Sequence, residues 1–307
     1  MTFQALIEEL GDPAQRVSAS KLVGLSGLDT GEVSQFLEVW SALDSTRRRR
    51  ITHDLVDLAE DSVDLNFDAV FAIGLADEDT DVRLTSIRGL WEHEGRDLID
   101  PLLALLSGDS EAAVRAEAAL ALGRYVLQAE FDALPAGDAE RIEQALARTA
   151  TDVAEISEVR SRALEALGGR TMPWVRDLIE EAFVDGDRRL RIGAIHAMGR
   201  SCEVDWLPSL IAELANDDPE VRYEAATALG EIADEDATQH LLQLLSDDDA
   251  EVQEAAIAAL GEIGGEEARG ALEELQQASD ERIREAVTAA LAEVEFAADP
   301  LAFKFRG

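Results

Sequence analysis

The sequence is poor in the residue types that carry covalent and metal chemistry. Its 307 residues include one cysteine, Cys202, and four histidines, His53, His93, His196 and His240. A single cysteine excludes an intramolecular disulfide and a thiolate metal cluster. The histidines lie in four separate segments, so no spacing typical of a metal-ligand motif is present. We therefore predict no metal, no cofactor and no catalytic residue from these types.

Aromatic residues and long apolar runs are also scarce. Aromatics make up 5% of the chain although apolar residues make up 47%, so small and aliphatic side chains must provide the packing. No apolar run approaches the length needed to cross a membrane, and residues 1–10 lack the basic start of a secretory signal. We expect a protein of the cytoplasm that does not act on membranes.

Basic residues are few, and only two of them are lysines. With 65 acids and 27 bases the formal net charge is −38. Such a charge repels nucleic acids and anionic lipids, which require basic surfaces. Two interpretations remain: adaptation to the very salty cytoplasm of a prokaryote, where screening is strong, or a docking surface for a basic partner. The acids are spread over many segments, which favours the first interpretation.

What the chain does contain is a sequence repeat of about 31 residues. In its fullest copy Asp218 can cap a helix that Pro219 begins, and Val221, Ala225 and Leu229 share one face at helical spacing. The position of Val221 recurs at Ile51, Val82, Val114, Val159, Leu190, Val252 and Ile283. A repeat of this length predicts an all-α chain of stacked helical hairpins without a central core.

The register of the repeat predicts nine hairpins. Their second helices are expected near 13–26, 46–60, 79–94, 111–128, 156–168, 187–200, 218–233, 249–263 and 280–296. We interpret residues 1–296 as one solenoid and 297–307 as a C-terminal tail. The repeats are clear over 78–295 and degenerate over 1–77. An insertion at 126–140 predicts a longer helix followed by a loop.

The pattern Asp-x-x-Val-Arg-x-x-Ala-Ala-x-Ala-Leu-Gly resembles the short HEAT-like repeat of phycobilin-lyase type. The resemblance implies a right-handed α-solenoid whose second helices line a concave groove, and it implies no single activity. The di-iron hydroxylases built on such repeats use several His-Glu pairs, whereas this chain has only His93-Glu94. HEAT-like DNA glycosylases need a basic groove, which the charge contradicts.

Two sets of recurring residues are predicted to be structural. An arginine follows the Val position in most copies and should form a ladder of hydrogen-bonded ion pairs, with a gap where Gln253 replaces it. Glycines recur inside the second helices, where close approach of the next helix would offset their low helix propensity. The arginines are Arg83, Arg115, Arg160, Arg191, Arg222 and Arg284, and the glycines are Gly123, Gly168, Gly199, Gly230 and Gly261.

The positions two, six and nine residues after the Val position are the candidate functional ones, and Arg124 and Arg200 lie next to them in sequence. On a helical wheel they point away from the buried face, so they should line the concave groove. Apolar, aromatic and arginine side chains there are typical of partner-binding surfaces. The predicted site is Leu84, Arg88, Trp91, Leu120, Arg124, Ile192, His196, Arg200 and Tyr223.

The distribution of charge singles out two further segments. Residues 156–202 hold 7 acids and 8 bases, whereas residues 203–299 hold 27 acids and 4 bases. The first segment is either a partner site or a chance effect of the arginine ladder. Arg47–Arg50 is the only dense basic run, and it is either a solvated patch neutralised by acids or a small anion site.

Two hypotheses for function therefore stand. In the first, the chain is a non-catalytic adaptor that holds a protein partner in its groove, in a signalling or assembly complex. That partner should carry basic flanks. In the second, it resembles phycobilin lyases or chaperones and holds a chromophore or another small apolar ligand. The oligomeric state is not predicted.

Overall fold

A computed structural model of the chain describes residues 2–12, 14, 17–277 and 280–298. Those residues form eighteen α-helices and four short 3-10 turns, and none of them lies in a β-strand. The all-α prediction is confirmed. The predicted tail at 297–307 lies outside the described residues from position 299 onward.

The helices occur in nine consecutive pairs. The first helices are α1 (Phe3–Gly11), α3 (Thr30–Trp40), α5 (Asp68–Gly74), α7 (Ile99–Gly108), α9 (Ala136–Thr151), α11 (Pro173–Val184), α13 (Leu207–Glu213), α15 (Thr238–Leu244) and α17 (Gly265–Leu275). The second helices are α2 (Ala19–Leu22), α4 (Ser45–Asp61), α6 (Thr80–Gly89), α8 (Ala112–Glu130), α10 (Ser157–Leu167), α12 (Arg188–Ser201), α14 (Pro219–Ile232), α16 (Ala250–Ile263) and α18 (Glu281–Ala298).

Aspartates fix where most second helices begin. Asp218 caps α14 by accepting a hydrogen bond from the Glu220 amide at 3.1 Å, and Pro219 occupies the first helical position as predicted. Asp187 and Asp249 cap α12 and α16 in the same way. A side-chain acceptor at this position satisfies amide groups that have no partner inside the helix. The acidic loops therefore set the register of the repeat.

The described residues form two compact units by their contacts. Unit 1 comprises Met1–Gln128 and Leu134–Ala145, and unit 2 comprises Ala129–Ala133 and the chain from Leu146. In unit 2 the second helices α10, α12, α14, α16 and α18 pack in succession, and in unit 1 α4 packs on α2 and α6. The buried positions of these helices are aliphatic residues and alanines, which pack closely without bulky aromatic rings.

The repeated glycines make the close packing in unit 2 possible. A Cβ at Gly199 would lie 2.7 Å from the Cα of Ala228, and one at Gly230 would lie 2.8 Å from the Cα of Ala259. Gly168 and Gly261 meet the next second helix at similar distances. Glycine lowers the stability of each helix, but it lets two helix backbones pack at a distance where any side chain would collide.

The recurring arginines form the predicted structural ladder. Arg222 donates to the carbonyl of Asn216, in the loop before its own helix, and pairs with Asp247 in the next loop at 2.7 Å. Arg83 does the same with the Asp77 carbonyl and with Asp109. The predicted gap at Gln253 is only partial, because its amide still donates to the carbonyl of Asp247.

The first hairpin departs from the predicted second helix at 13–26. Helix α2 has only four residues, and the 3-10 turn Val23–Leu25 follows it. Gly27, with a φ of +67°, ends this segment in a conformation that few other residues adopt. In the predicted insertion at 126–140, the 19-residue helix α8 extends to Glu130, a short loop follows, and the next helix, α9, begins at Ala136.

Candidate functional site

The predicted residues of unit 1 lie on α6, on α8 and on the turn after α6. Trp91 is 67% exposed, and Leu84 and Leu120 are half-buried. Arg88 is exposed, and its guanidinium forms an ion pair with Glu117 at 3.0 Å. Trp91 stands out because Trp40 and Trp206 are buried in the core.

Arg124 has a structural contact that the sequence did not indicate. Its guanidinium donates to three carbonyl groups at the end of α6, those of Leu90, Trp91 and His93. Burial disfavours the charged form of the Arg124 guanidinium and so lowers its pKa. These carbonyls belong to the C-cap residue of α6 and to the turn that follows it. Arg124 therefore positions the turn that carries Trp91, and its guanidinium is not free for a partner.

The same turn is fixed by two other side chains of unit 1. His93 bonds Asp68 through Nδ1 at 2.8 Å and Asp97 through Nε2 at 3.0 Å. Although burial opposes its charge, the two carboxylates raise the pKa of His93 above its ordinary value. The buried Tyr125 donates its hydroxyl to the Gly95 carbonyl at 2.8 Å. We name these contacts of Asp68, His93, Asp97 and Tyr125 the clasp. The sequence did not indicate the clasp, because its members come from α5, α8 and the turn itself.

The predicted residues of unit 2 are less uniform. Tyr223 on α14 is 38% exposed, and Arg200 on α12 is half-buried. Ile192 is only 4% exposed, so the outward orientation expected for it was wrong. Its position points outward on an isolated helical wheel, but close packing of the second helices covers it. Ile192 therefore belongs to the core of unit 2.

A polar cluster lies in unit 2 between α10 and α12. Glu165 is 3% exposed and accepts hydrogen bonds from Ser161 at 3.0 Å and Arg162 at 2.7 Å. Gly193 leaves room for Ser161 of this cluster, since a Cβ at position 193 would come within 3.1 Å of the Ser161 carbonyl oxygen. Gly193 is a second glycine within α12, and that was the one sequence signal that could have located the cluster.

Two titratable groups on the neighbouring helices respond to this cluster. Glu224 on α14 has a pKa raised to about 7, first by burial and then by the charge of Glu165. His196 on α12 has a lowered pKa because burial disfavours its charged form, and its Nδ1 is buried without a hydrogen-bond partner. Of the predicted site residues, His196 alone joins this cluster.

An open depression of about 410 Å³ lies at the ends of α12 and α14. Arg200, Cys202, Glu231 and Glu262 are among the residues that line it. Cys202 ends α12 in the left-handed conformation, with a φ of 52°, and its thiol is exposed. Three of its six lining residues carry charged side chains and the depression is open to solvent, so it differs from the enclosed pocket that a drug-sized or chromophore-like ligand usually occupies.

The arginines of the basic run Arg47–Arg50 bind acceptors within the protein itself. Arg47 donates to the carbonyls of Glu9 and Asp12, and Arg49 pairs with Asp79 at 2.6 Å. Arg48 is 5% exposed and pairs with Asp77 and Glu78, so it is not the solvated side chain that one interpretation assumed. Arg50 pairs with Asp54. Each arginine of the run therefore has an acceptor within the protein, although Arg49 and Arg50 remain about half exposed.

Among the described residues, no group of three His, Cys, Asp or Glu side chains is arranged to hold a metal ion. None of the helices that the structure describes combines the length and the apolar character needed to span a bilayer.

Comparison with known proteins identifies the repeat. A family model described as HEAT repeats matches residues 68–155 and 207–292, which is more than half of the chain. No curated protein matches the chain significantly in sequence.

Several solved structures are similar in fold. Yeast importin-β (Kap95p) has a TM-score of 0.56 at 13% identity, with 98% of this chain and 47% of that chain covered. Kap121p bound to Pho4p has a TM-score of 0.53 at 16% identity, covering 96% and 38%. The CpcE–CpcF complex of phycocyanin lyase from Nostoc has a TM-score of 0.52 at 17% identity, covering 92% and 97%. At these identities the similarity establishes the fold alone.

Proposed function

The chain belongs to the HEAT-repeat family, and on that premise we propose that it is a non-catalytic adaptor that binds a protein partner through its second helices. Exposure of Trp91 carries the proposal. A large indole that is 67% exposed contributes little to the stability of unit 1, whereas tryptophan is enriched among residues that dominate binding energy.

The surroundings of Trp91 in unit 1 support a protein as the ligand. Leu84 and Leu120 are half-buried, and the exposed Arg88 precedes Trp91 by three residues. Aromatic, aliphatic and arginine side chains on neighbouring helices form the kind of mixed surface that binds a peptide segment or a helix. We name this set, Leu84, Arg88, Trp91 and Leu120, the Trp91 surface.

Unit 2 offers a separate candidate contact in Tyr223. Its ring is 38% exposed on α14, and the following turn is held by the Thr227 hydroxyl, which donates to the Tyr223 carbonyl at 3.1 Å. Around it the charge is strongly negative, since residues 203–299 hold 27 acids and 4 bases. A partner with basic segments suits such a field, which also speeds encounter.

The chromophore hypothesis has less support. The likeness to a phycocyanin lyase concerns the fold, and the depression beside Arg200 is lined by the carboxylates of Glu231 and Glu262. Carboxylates disfavour both an apolar ligand and an anionic one. A pigment that co-purified with the native protein would nevertheless show in its absorption spectrum and would contradict the adaptor proposal.

Site-specific photo-crosslinking in an extract of the native host, at the salt of its cytoplasm, tests the proposal. A photoreactive amino acid replaces Trp91 in one variant and Tyr223 in another. Phe131 provides the matched control, because it is a 74% exposed aromatic residue on another loop. We expect a discrete protein adduct from position 91, weaker adducts from position 223 and none from position 131. Equal adducts from position 131, or none from position 91, would contradict the proposed surface.

A further inference from the structure

The turn from Leu90 to Asp97 is held more firmly than a surface connection requires. Arg124 bonds three of its carbonyl groups, and the Tyr125 hydroxyl bonds a fourth, that of Gly95. His93 ties the turn to Asp68 and to Asp97. These contacts come from α5, from α8 and from the turn itself. They fix the backbone on both sides of Trp91, whose indole is nevertheless exposed.

Such an arrangement lowers the entropy that a partner must remove on binding. A side chain on a flexible loop loses much conformational freedom when it is captured, whereas one on a fixed turn loses little. Helix α6 ends at Gly89, two residues before Trp91, and the Trp91 side chain on the following turn is largely exposed. The geometry therefore presents one rigid aromatic face.

The charges around Trp91 are not balanced. Each cation nearby already has a carboxylate or a carbonyl partner: Arg88 with Glu117, His93 with Asp68 and Asp97, Arg96 with Asp138, and Arg124 with backbone carbonyls. Glu92 and Glu94 follow Trp91 on the turn and are exposed, and within the described part of the chain neither has an ion-pair partner. The uncompensated charge on this turn is therefore negative.

We propose that the Trp91 turn, residues 90–97, binds an arginine side chain of a basic partner segment. The guanidinium stacks on the indole, and Glu92 and Glu94 neutralise its charge. Stacking of a planar cation on tryptophan is the most favourable form of the cation–π contact, and arginine also forms directed hydrogen bonds with carboxylates. The inference rests on the proposed function, because it names the chemistry of the partner at the Trp91 surface.

The test uses the full chain and a small probe, N-acetyl-arginine amide, with the indole N–H signals followed by NMR. The chain has four tryptophans, and the signal of Trp91 is assigned as the one lost in Trp91→Phe. The matched probe is N-acetyl-citrulline amide, which has nearly the same shape without the charge. We expect the arginine probe to shift the Trp91 signal in a saturable manner and the citrulline probe to bind at least about fivefold more weakly.

A charge-matched pair of variants separates the local site from the general field. Glu92→Gln with Glu94→Gln should weaken the arginine probe about threefold to tenfold. Glu281→Gln with Glu285→Gln changes the net charge equally at two exposed glutamates of α18 and should leave the affinity unchanged. Equal shifts from citrulline, or equal weakening by the α18 pair, would overturn the inference. Crosslinking from position 91 without any response to arginine would overturn it while leaving the adaptor proposal intact.

Discussion

Unit 2 uses one position of the repeat for a single purpose, whereas unit 1 uses it for two. Nine residues after the Val position, the repeats of α10, α12, α14 and α16 in unit 2 have a buried glycine that meets the next helix at backbone distance. In unit 1 the same position is the buried Gly123 on α8 but Trp91, which is 67% exposed, after α6. Helix α8 continues through Gly123, whereas α6 has ended at Gly89. Helix length thus decides whether the position packs or faces outward.

The units also treat their polar groups differently. In unit 1 the polar side chains near Trp91 are paired with opposite charges or with carbonyls, so they fix a turn at the surface. In unit 2 Glu165 and Glu224 are carboxylates close enough that the charge of one raises the pKa of the other. Paired groups of opposite charge stabilise the folded conformation at neutral pH, whereas buried groups of like charge destabilise it. The contrast predicts different responses to mutation and to pH.

The largest expected effect comes from filling a glycine position of unit 2. In Gly230→Val the new Cβ would lie 2.8 Å from the Cα of Ala259, so the α14–α16 contact must open. We expect a loss of ~3 kcal/mol in the free energy of unfolding, the upper end of the range for overpacking. Urea denaturation followed by circular dichroism measures it.

The control carries the same substitution where the structure has space. A Cβ at Gly270 on α17 would meet nothing within 4 Å. Gly270→Val should be neutral or slightly stabilising, because valine has a better helix propensity than glycine. If both variants lost the same stability, close helix approach would not be the reason for the glycines.

The second effect concerns the like charges of unit 2. The pKa of Glu224 is about 7 in the folded state against an ordinary 4.5. A raised pKa means that the folded state binds the proton more tightly, so the stabilisation is complete below about pH 4.5 and is lost as the pH rises through 7. Glu224→Gln removes this loss and should be more stable than the parent at pH 8 by at most ~3 kcal/mol.

Urea denaturation at pH 5 and at pH 8 checks the Glu224 prediction. The difference between parent and Glu224→Gln should grow with pH, because only the parent has a carboxylate to ionise there. Glu285→Gln is the matched control, since Glu285 is exposed on α18. A pH-independent difference for Glu224→Gln would show that packing, and not ionisation, distinguishes the two side chains.

The helix positions were predictable because local signals repeat. Asp218 indicates a helix cap, Pro219 a first turn and Val221 a buried face, and the eight copies of the Val position place such signals in one register. The structural role of Arg222 followed from the same repetition. Such inferences hold because the interactions are local or join adjacent hairpins.

The candidate site was less predictable because it depends on distances between helices. A wheel drawn for one helix cannot show that its neighbour covers Ile192, or that Glu165, at a position predicted to face outward, is 3% exposed. Arg124 resembled a recognition residue in sequence, but its partners are carbonyl groups more than thirty residues away. Side chains that reach another hairpin are specified by packing, which the repeat pattern does not encode.

The smallest predicted effect returns to the clasp of unit 1. His93 is held between Asp68 and Asp97, and these carboxylates raise its pKa above 6.5 despite partial burial. A histidine with a raised pKa gives stability that is complete below the unfolded value of 6.5 and is lost as the pH rises through the folded value. His93→Gln should therefore be less stable than the parent by ~1 kcal/mol at pH 6, and by less at pH 9.

His240→Gln is the control, because His240 is an exposed histidine on α15 of unit 2. The indole signal of Trp91 gives an independent measurement: if the clasp fixes the turn, that signal should broaden in His93→Gln and in the parent above the pKa of His93, but not in His240→Gln. A sharp, unmoved Trp91 signal together with the expected loss of stability would mean that the clasp stabilises unit 1 without holding the exposed indole in place.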